Sequence, residues 1–554
     1  MALLLFSVTP VLANPQFTNI GEAQGIAHQY VGGWEHYVGG GVATFDCDGD
    51  KLPELFVAGG ENSSILLRNT TEHRGGALSY AESTPDALSL TGVIGAYPID
   101  IDGDGFQDLM VLRVGENILL RGGDDCSFSP FPASLGFDGG NEWTTAFSAT
   151  WEQGQTLPTL AVGNYVDRYN PEGPFEACDK NFLFRPDGNT YAPPDILDPG
   201  YCPLSMLFSN WRGPGYGQQD LRVSNDRHYY VRGGSEQMWD ISGGAPRLHT
   251  LEDDNWTTYS IWGMGIASRD IPVPGRMSPK DGAPEIFLTS MGDQKLHTQI
   301  PDTFGSAYED AAFERGITAH RPYMGDDGRA STGWHVAFGD VQNDGLDDIF
   351  IAKGNVEQMP SSAMKDPNNL LVQDQNFRFR EMGEIAGIGT PERSRGASFT
   401  DLNLDGLLDL VVVNRRAPME IYQNTTPNAG NWLELELIQN GPNINAVGAW
   451  IRVREACWVN TLSGGPTGHT REITVGGGHV SGKSGYEHFG LGEQQVAYVQ
   501  VVWPDGAESE WQPVQTNQIL SLTRLGDDFV IALSPQPAGL RVQMPESPGE
   551  NPPC

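Results

Sequence analysis

The sequence predicts an all-β protein: a seven-bladed β-propeller followed by a small all-β C-terminal domain. Three observations carry that expectation. Glycine (69 of 554 residues) and proline (38) supply the turns that many short strands need. A strand–acidic loop–strand unit recurs through the first 424 residues, its loops starting 51 to 70 residues apart. Beyond it lies a stretch of alternating apolar and polar residues without acidic loops.

The unit is clearest in VATFDCDGDKLPELFVA (42–58), AYPIDIDGDGFQDLMVL (96–112), VAFGDVQNDGLDDIFIA (336–352) and ASFTDLNLDGLLDLVVV (397–413). Each reads D-x-[DNQ]-x-D-x-x-x-[DE] between two apolar runs, usually with Gly at the sixth position. Weaker copies fill the middle. Residues 149–162 keep the frame, but Trp151, Gln153, Gln155 and Thr159 replace the acids. Residues 209–223 keep Asp220, and residues 266–288 carry the insertion PVPGRMSPK. The loops therefore start at 46, 100, 151, 210, 270, 340 and 401. Units this small cannot bury their own faces, so they must stack, and four-strand blades around a channel suit them. Between loops, FTNIGEAQGI (17–26), YEDAAFERGI (308–317) and FREMGEIAGI (379–388) repeat as a blade-connecting turn.

These patterns divide the chain into a propeller (14–424), a linker (425–431, TTPNAGN), a β-domain (432–525) and a tail (526–554), Pro-rich from Pro535. Residues 1–13, MALLLFSVTPVLA, read as a secretory signal, too short for a spanning helix and lacking a basic n-region. No other segment is long and apolar enough to span a membrane as a helix. Six cysteines occur without a CxxC pair, which disfavours a zinc ribbon. Cys178 and Cys202 bracket a Pro/Gly-rich stretch and form the preferred disulfide pair; the other pairings stay open, with Cys47 and Cys457 equally readable as free buried thiols.

The acidic loop has a specific chemistry. A hard divalent cation takes several oxygen ligands, and Ca2+ tolerates a flexible, carboxylate-rich shell better than Mg2+ does. Side chains at positions 1, 3 and 5 can converge on one point, and the acid at position 9 can close the shell. About four Ca2+ ions are expected, held by Asp46, Asp48, Asp50 and Glu54; Asp100, Asp102, Asp104 and Asp108; Asp340, Gln342, Asp344 and Asp348; and Asp401, Asn403, Asp405 and Asp409. Lys51 occupies the glycine position of the first loop, so strain is expected there. The three middle loops have lost their ligands and are expected to bind nothing.

A net charge of −37 argues against nucleic acid and anionic membranes as partners, since no basic cluster exists to meet phosphate. Fourteen of the 71 acidic residues sit at ligand positions of the four good loops.

The loops resemble FG-GAP repeats, the blade units of integrin-α-like propellers. GNYVDR (163–168), TSMGDQKL (289–296), GWHVAFGDVQNDG (333–345) and DLNLDGLLDLVVVN (401–414) are similar to the cartilage acidic protein family. GAWIRV (448–453), REITVGGGHVSG (471–482), EHFGLG (487–492) and VVWPDG (501–506) resemble the ASPIC/UnbV domain. The resemblance spans about residues 17–525 and implies a secreted, calcium-binding propeller with an appended β-domain, without implying a defined activity.

The leading functional expectation is therefore a non-enzymatic recognition or adhesion scaffold that is secreted, periplasmic or on the cell surface. Its partner would be an extracellular protein or glycan. Residues 170–260, with Trp211, Tyr216, Tyr229, Tyr230 and Trp239, are the expected partner surface, although aromatics packing between blades would read the same way. The alternative is an extracellular hydrolase or lyase acting on a polymer in the propeller channel, with His335, Glu487, His488 and Asp226/Arg227/His228 as groups to test. No G-x-S-x-G elbow or HExxH pair supports it. A third option makes the propeller a stalk presenting the C-terminal domain. Four Asn-x-Thr/Ser sequons (Asn62, Asn69, Asn255, Asn424) matter only where the source glycosylates.

Overall fold

The computed structural model describes residues 13–174, 176–214, 219–226, 234–273, 282–301, 303–317, 332–356, 366–455 and 468–534. Residues 1–12, Arg227, His228, Tyr216, Tyr229, Tyr230, Cys457 and Cys554 lie outside the described residues.

Seven blades of four antiparallel strands follow one another; blade 1 gains a fifth, parallel strand from Gly482–Lys483, blade 3 is interrupted by the small hairpin of Pro186–Asp187 and Thr190–Tyr191, and blade 7 takes its outer strand from the chain start. In blade 7 the strand at the chain start, Phe17–Asn19, adds to the edge of Glu420–Asn424 and closes the ring. The innermost strand of each blade packs beside the next, and Ser394–Thr400 of blade 7 returns to Val42–Phe45 of blade 1. The second strands ELFV, DLMVLR, DIFIAK and DLVVVN are almost continuously buried, because neighbouring blades cover both faces. That dual burial is why these runs are apolar rather than alternating.

The register fixes the loops. In every blade the last residue of the first strand pairs with the residue that closes the loop, position 9 in five blades and later in the longer loops of blades 4 and 5: Phe45 with Glu54, Ile99 with Asp108, Thr150 with Thr159, Ser209 with Asp220, Arg269 with Glu285, Gly339 with Asp348 and Thr400 with Asp409. All seven loop starts read from the repeat are thus structural equivalents. The FTNIG-type turns are outer strands, and in two of the copies a one-turn helix follows (Ala312–Arg315, Gly383–Ala386), closed by Gly316 and Gly387 at positive φ.

The C-terminal domain is two four-stranded sheets around a core that includes Leu433, Leu435, Ile451, Phe489, Val499 and Trp503. It extends beyond the expected boundary at 525: Gly526 turns the chain at φ 66° and Asp528–Leu533 pairs back on Gln518–Leu525. The linker is tied down rather than loose, since the Thr425 amide donates to Gln16 O and the Gly430 amide to Gln342 O.

The domain does not stand apart from the propeller. Residues 475–483 enter the central channel and touch every blade. Val475, Gly476 and Gly478 bridge Ala149, Leu207 and Ile266 of blades 3, 4 and 5. The His479 amide donates to His335 Nδ1 of blade 6 at 3.1 Å. Ser481 bridges Ala96 of blade 2, and Gly482–Lys483 runs parallel to Ala43–Thr44 of blade 1. On blade 7, a Cβ at Gly396 would lie 2.3 Å from Ser481 Oγ. Two glycines show why the inner strands carry no side chain here. A Cβ on Gly41 or Gly95 would fall 1.8 or 1.9 Å from Val480 O, so only glycine lets the inserted backbone approach. The inserted segment crosses the channel in which the enzyme alternative placed a site, and a cavity of about 400 Å³ lined by His335, Glu487 and residues 473–478 remains there.

Candidate metal centres

The four acidic loops share one hydrogen-bond plan. The position 1 carboxylate folds the loop by accepting backbone amides: Asp46 from Gly49 (2.7 Å) and Lys51 (3.1 Å), Asp100 from Gly103 (2.8 Å) and Gly105 (2.9 Å), and Asp340 from Asp344 (3.1 Å) and Gly345 (2.7 Å). Asp401 does the same with the Asp405 and Gly406 amides. The position 5 carboxylate accepts the amide two residues on, as Asp344 does from Leu346 (3.0 Å) and Asp405 from Leu407 (2.9 Å).

Position 9 has a role that the repeat pattern did not reveal. Its two oxygens staple the loop to the blade, one accepting the amide of position 2 and the other an amide near the end of the third strand. Asp108 accepts from Ile101 and Gly122 (both 2.8 Å), Asp348 from Val341 (3.1 Å) and Gln373 (2.9 Å), and Asp409 from Leu402 (2.9 Å) and Asn424 (2.7 Å). Glu54 likewise takes Cys47 (2.9 Å) and Asn69 (3.4 Å). Asn69 and Asn424 are thus equivalent buried blade residues, and their amide nitrogens donate to Leu402 O and Val341 O. The shared NTT at 69–71 and 424–426 was the signal for this pairing; as buried sequons they are closed to glycosylation, whereas Asn62 is exposed.

The residues fit a cation. One ligand atom from each of Asp46, Asp48 and Asp50 lies within 4.8 Å of the others, and the same holds for Asp100, Asp102 and Asp108. At position 3, Asp102 Oδ1, Gln342 Oε1 and Asn403 Oδ1 are buried oxygens with no hydrogen-bond partner among the described residues. A buried acceptor left without a donor is costly, and an ion would satisfy it. Burial pushes Glu54, Asp108 and Asp401 up to about 8 and Asp100 to about 6, and neighbouring carboxylates add to each shift. Burial also raises Asp340, Asp348 and Asp409 well above the carboxylate range. A divalent ion would reverse that balance and hold the groups ionised.

The loops differ in the competition they offer. Arg68 pairs with Asp48 (2.7 Å), and Arg121 with Asp102 (2.7 Å) and Asp104 (2.9 Å), from partly exposed positions that leave room to swing aside. Blades 6 and 7 have no guanidinium paired with an acid at position 1, 5 or 9 among the described residues, and Asp340 and Asp401 are 2% exposed. Lys51 adopts φ 73° where Gly105, Gly345 and Gly406 take 92°, 91° and 88°, the strain expected from its position. Cys47, at position 2 of loop 1, is joined to Cys126, so the cluster Cys47–Glu54–Cys126 offers no thiolate. Cys178 is joined to Cys202.

Of the other groups singled out from sequence, His335 and Glu487 line one cavity, and Arg227 and His228 lie outside the described residues. His335 accepts the His479 amide, and His488 Nε2 donates to Gly406 O (3.1 Å). Burial lowers His335 to about 4 and His488 to about 3, so both are neutral. Asp226 accepts Tyr165 Oη at 2.6 Å in the core. Trp239 is buried between blades 3 and 4, and Trp211 packs in the next interface with its indole on Asp220. They are inter-blade packing, which corrects the expectation of a partner surface at these two residues.

The class of protein is now defined: an all-β propeller of FG-GAP-type blades with an ASPIC/UnbV domain docked on one face. The FG-GAP-like repeat model matches residues 46–111 and 340–412, and the ASPIC and UnbV model matches 439–527. Among named relatives, the chain is similar to cartilage acidic protein 1 of Mus musculus, 22% identical over 490 residues covering 84% of this chain and 70% of the relative. The Homo sapiens protein of that name is 26% identical, with 84% and 69% covered. Solved structures with a looser likeness include an Agrocybe aegerita lectin described as recognising non-reducing terminal N-acetylglucosamine (TM-score 0.33, 13% identity, 64% of this chain and 82% of that one). Another is BBS1N in complex with ARL6DN (TM-score 0.39, 10% identity, 71% and 94%). No helix of the described residues is long and apolar enough to cross a membrane.

Proposed function

We propose that this protein is a secreted, calcium-loaded recognition scaffold without catalytic activity. The carrying observation is that carboxylates converge in loops 1 and 2, and that the position 3 oxygens of loops 2, 6 and 7 lie buried without donors among the described residues. The ions rigidify blades 1, 2, 6 and 7, with positions 1, 3 and 5 as principal ligands and position 9 as staple. Two disulfides and the similarity to cartilage acidic protein 1 support an extracellular setting. The C-terminal domain covers the loop-bearing face, so an extracellular protein or glycan meets the opposite mouth. There Trp34 (38% exposed) and Tyr169 (63% exposed) present aromatic surface beside the Arg168–Glu35 pair (2.8 Å). The buried, engaged His335 and His488 favour this reading over a polymer-cleaving enzyme. Calorimetric titration of the chelator-stripped protein tests it: about four Ca2+ ions per chain are expected, and Asp102→Ala lowers the count by one without abolishing the fold. An unchanged count in that variant overturns the ligand assignment.

A further inference from the structure

The acidic loops are also the floor on which the C-terminal domain stands. In blade 7 the Trp432 ring lies against position 6: a Cβ on Gly406 would fall 1.8 Å from it. Gly406 O accepts both His488 Nε2 (3.1 Å) and Asn343 Nδ2 (2.9 Å), linking the domain to two loops at once. In blade 6 the loop carbonyls of Gln342 and Asn343 accept the amides of Gly430 (2.9 Å) and Gly492 (2.8 Å). Gly490 lies so near the position 1 ligand that a Cβ would sit 1.9 Å from Asp340 Oδ2. Leu52 and Leu404 from loops 1 and 7 pack with Trp432 and Ile519 of the domain. Beside loop 6, Arg471 pairs with Asp347 at 2.9 Å, both side chains 1% exposed.

The docking groups are therefore loop carbonyls, a loop glycine and the position 1 side chain itself. Their directions are set by how each loop wraps. Without a cation, Asp340 and Asp344, and Asp401 and Asp405, repel within one buried turn, and the carbonyls between them lose their fixed aim. The domain adds to that load, since Glu434 is 2% exposed, its Oε2 has no hydrogen-bond partner among the described residues, and Asp401 and Asp405 act on it electrostatically. Docking in turn closes water out of loops 6 and 7, which strengthens any ion held there.

We propose that Ca2+ in the loops of blades 6 and 7 latches the C-terminal domain to the propeller, so that ion binding and insertion of residues 475–483 into the channel are one linked equilibrium. The latch rests on the calcium reading above. By linkage, whatever loosens docking must weaken ion binding by the same factor. Losing the ion frees the inserted segment and opens the channel mouth, which gives an extracellular calcium change a structural consequence.

Hydrogen exchange on the full chain, in calcium and in EGTA, tests this, with calorimetry alongside. In EGTA the amides of Gly476 to Lys483 should exchange at least about tenfold faster, while the second strands of blades 3 and 4 stay protected. Arg471→Gln, which touches no ion ligand, should lower the affinity of the tightest sites several-fold, and Trp432→Leu should do the same where Arg471→Gln fails to fold. If Ca2+ binds by calorimetry but the inserted amides exchange equally in both conditions, the latch is wrong and the calcium reading stands. If no binding heat appears, both are wrong.

Discussion

Blades 1, 2, 6 and 7 and blades 3, 4 and 5 build the same strand ladder but neutralise its loop in opposite ways. In the first group the loop acids cluster, and in blades 2, 6 and 7 position 3 ends in an oxygen without a donor among the described residues. In blade 3 the position 9 residue is Thr159, whose hydroxyl donates to Glu152 (2.6 Å), and Arg185 Nε donates to the same carboxylate at 2.8 Å. Blade 4 keeps the acid, Asp220, but covers it with the Trp211 indole, with Arg212 and His249 near it. Blade 5 keeps a buried acid at the start of its loop, Asp270, and the staple, Glu285, which accepts the Ile271 amide at 3.1 Å. The ladder itself therefore needs no metal. What differs is whether the loop charge is met by the protein's own donors or must be met from outside.

The sharpest way to break that comparison is chelation. Four sites at about a hundredfold excess of free ion over Kd would each add about 2.7 kcal/mol of stability. For a chain of this size that corresponds to a midpoint about 10 °C lower in EGTA. Differential scanning calorimetry should show it, and a melting curve indifferent to EGTA removes the distinction between the two groups of blades.

Next in size is the pH dependence of that difference. Without metal, the buried acids have raised pKa values, about 8 for Glu54, Asp108 and Asp401. The folded state then binds more protons than the unfolded one, so metal-free stability falls as pH rises from about 4 to 8. With Ca2+ the carboxylates are held ionised, and protons compete with the ion as pH falls. The gap between calcium and EGTA midpoints should therefore widen from pH 5 to pH 8, roughly doubling. A gap that narrows over this range would contradict the assignment of these acids as ion ligands.

Blade 3 supplies the opposite control. Arg185 also donates to Ile241 O (2.6 Å) and Gly244 O (2.7 Å), so it ties the loop to the neighbouring blade. Arg185→Met should cost about 3 kcal/mol by leaving Glu152 buried without its cation, a shift of about 3 °C. Because no ion is involved, the loss should be equal in calcium and in EGTA. A loss confined to one condition would mean the two groups of loops are coupled.

Much of this was legible in the residues. The D-x-[DNQ]-x-D spacing carried the loop starts of four blades, and the strand frame on either side carried the other three, because the paired strands persist where the acids and the loop length do not. The Cys178–Cys202 pair followed from the segment it brackets. What sequence could not show depends on contacts made across the fold. The position 9 acid reads like a ligand, and Asp108 does converge with Asp100 and Asp102, but its oxygens also accept amides of its own loop and of the third strand. REITVGGGHVSG marks the resemblance to the ASPIC/UnbV domain, but only the fold shows that it threads the channel, where Val480 O approaches Gly41 and Gly95. Trp211 and Trp239 read as exposed aromatics in an irregular stretch because inter-blade packing has no local periodicity.

The smallest effect separates loop 1 from its three partners. Lys51 holds φ 73°, which costs a side-chain-bearing residue about 1 kcal/mol relative to glycine. It also pairs with Glu436 of the C-terminal domain at 3.3 Å, a half-exposed contact worth about 0 to 1 kcal/mol. Lys51→Gly removes both, so the net change in stability should stay within about 0.5 kcal/mol. The ion should report the difference better than the melt. With the strain relieved and a positive charge removed from the loop, the first site should bind Ca2+ several-fold more tightly, approaching the site of blade 2. Unchanged affinity in this variant would show that position 6 backbone strain does not govern the loops, and that the Arg68 contact to Asp48 sets the weakness of loop 1 instead.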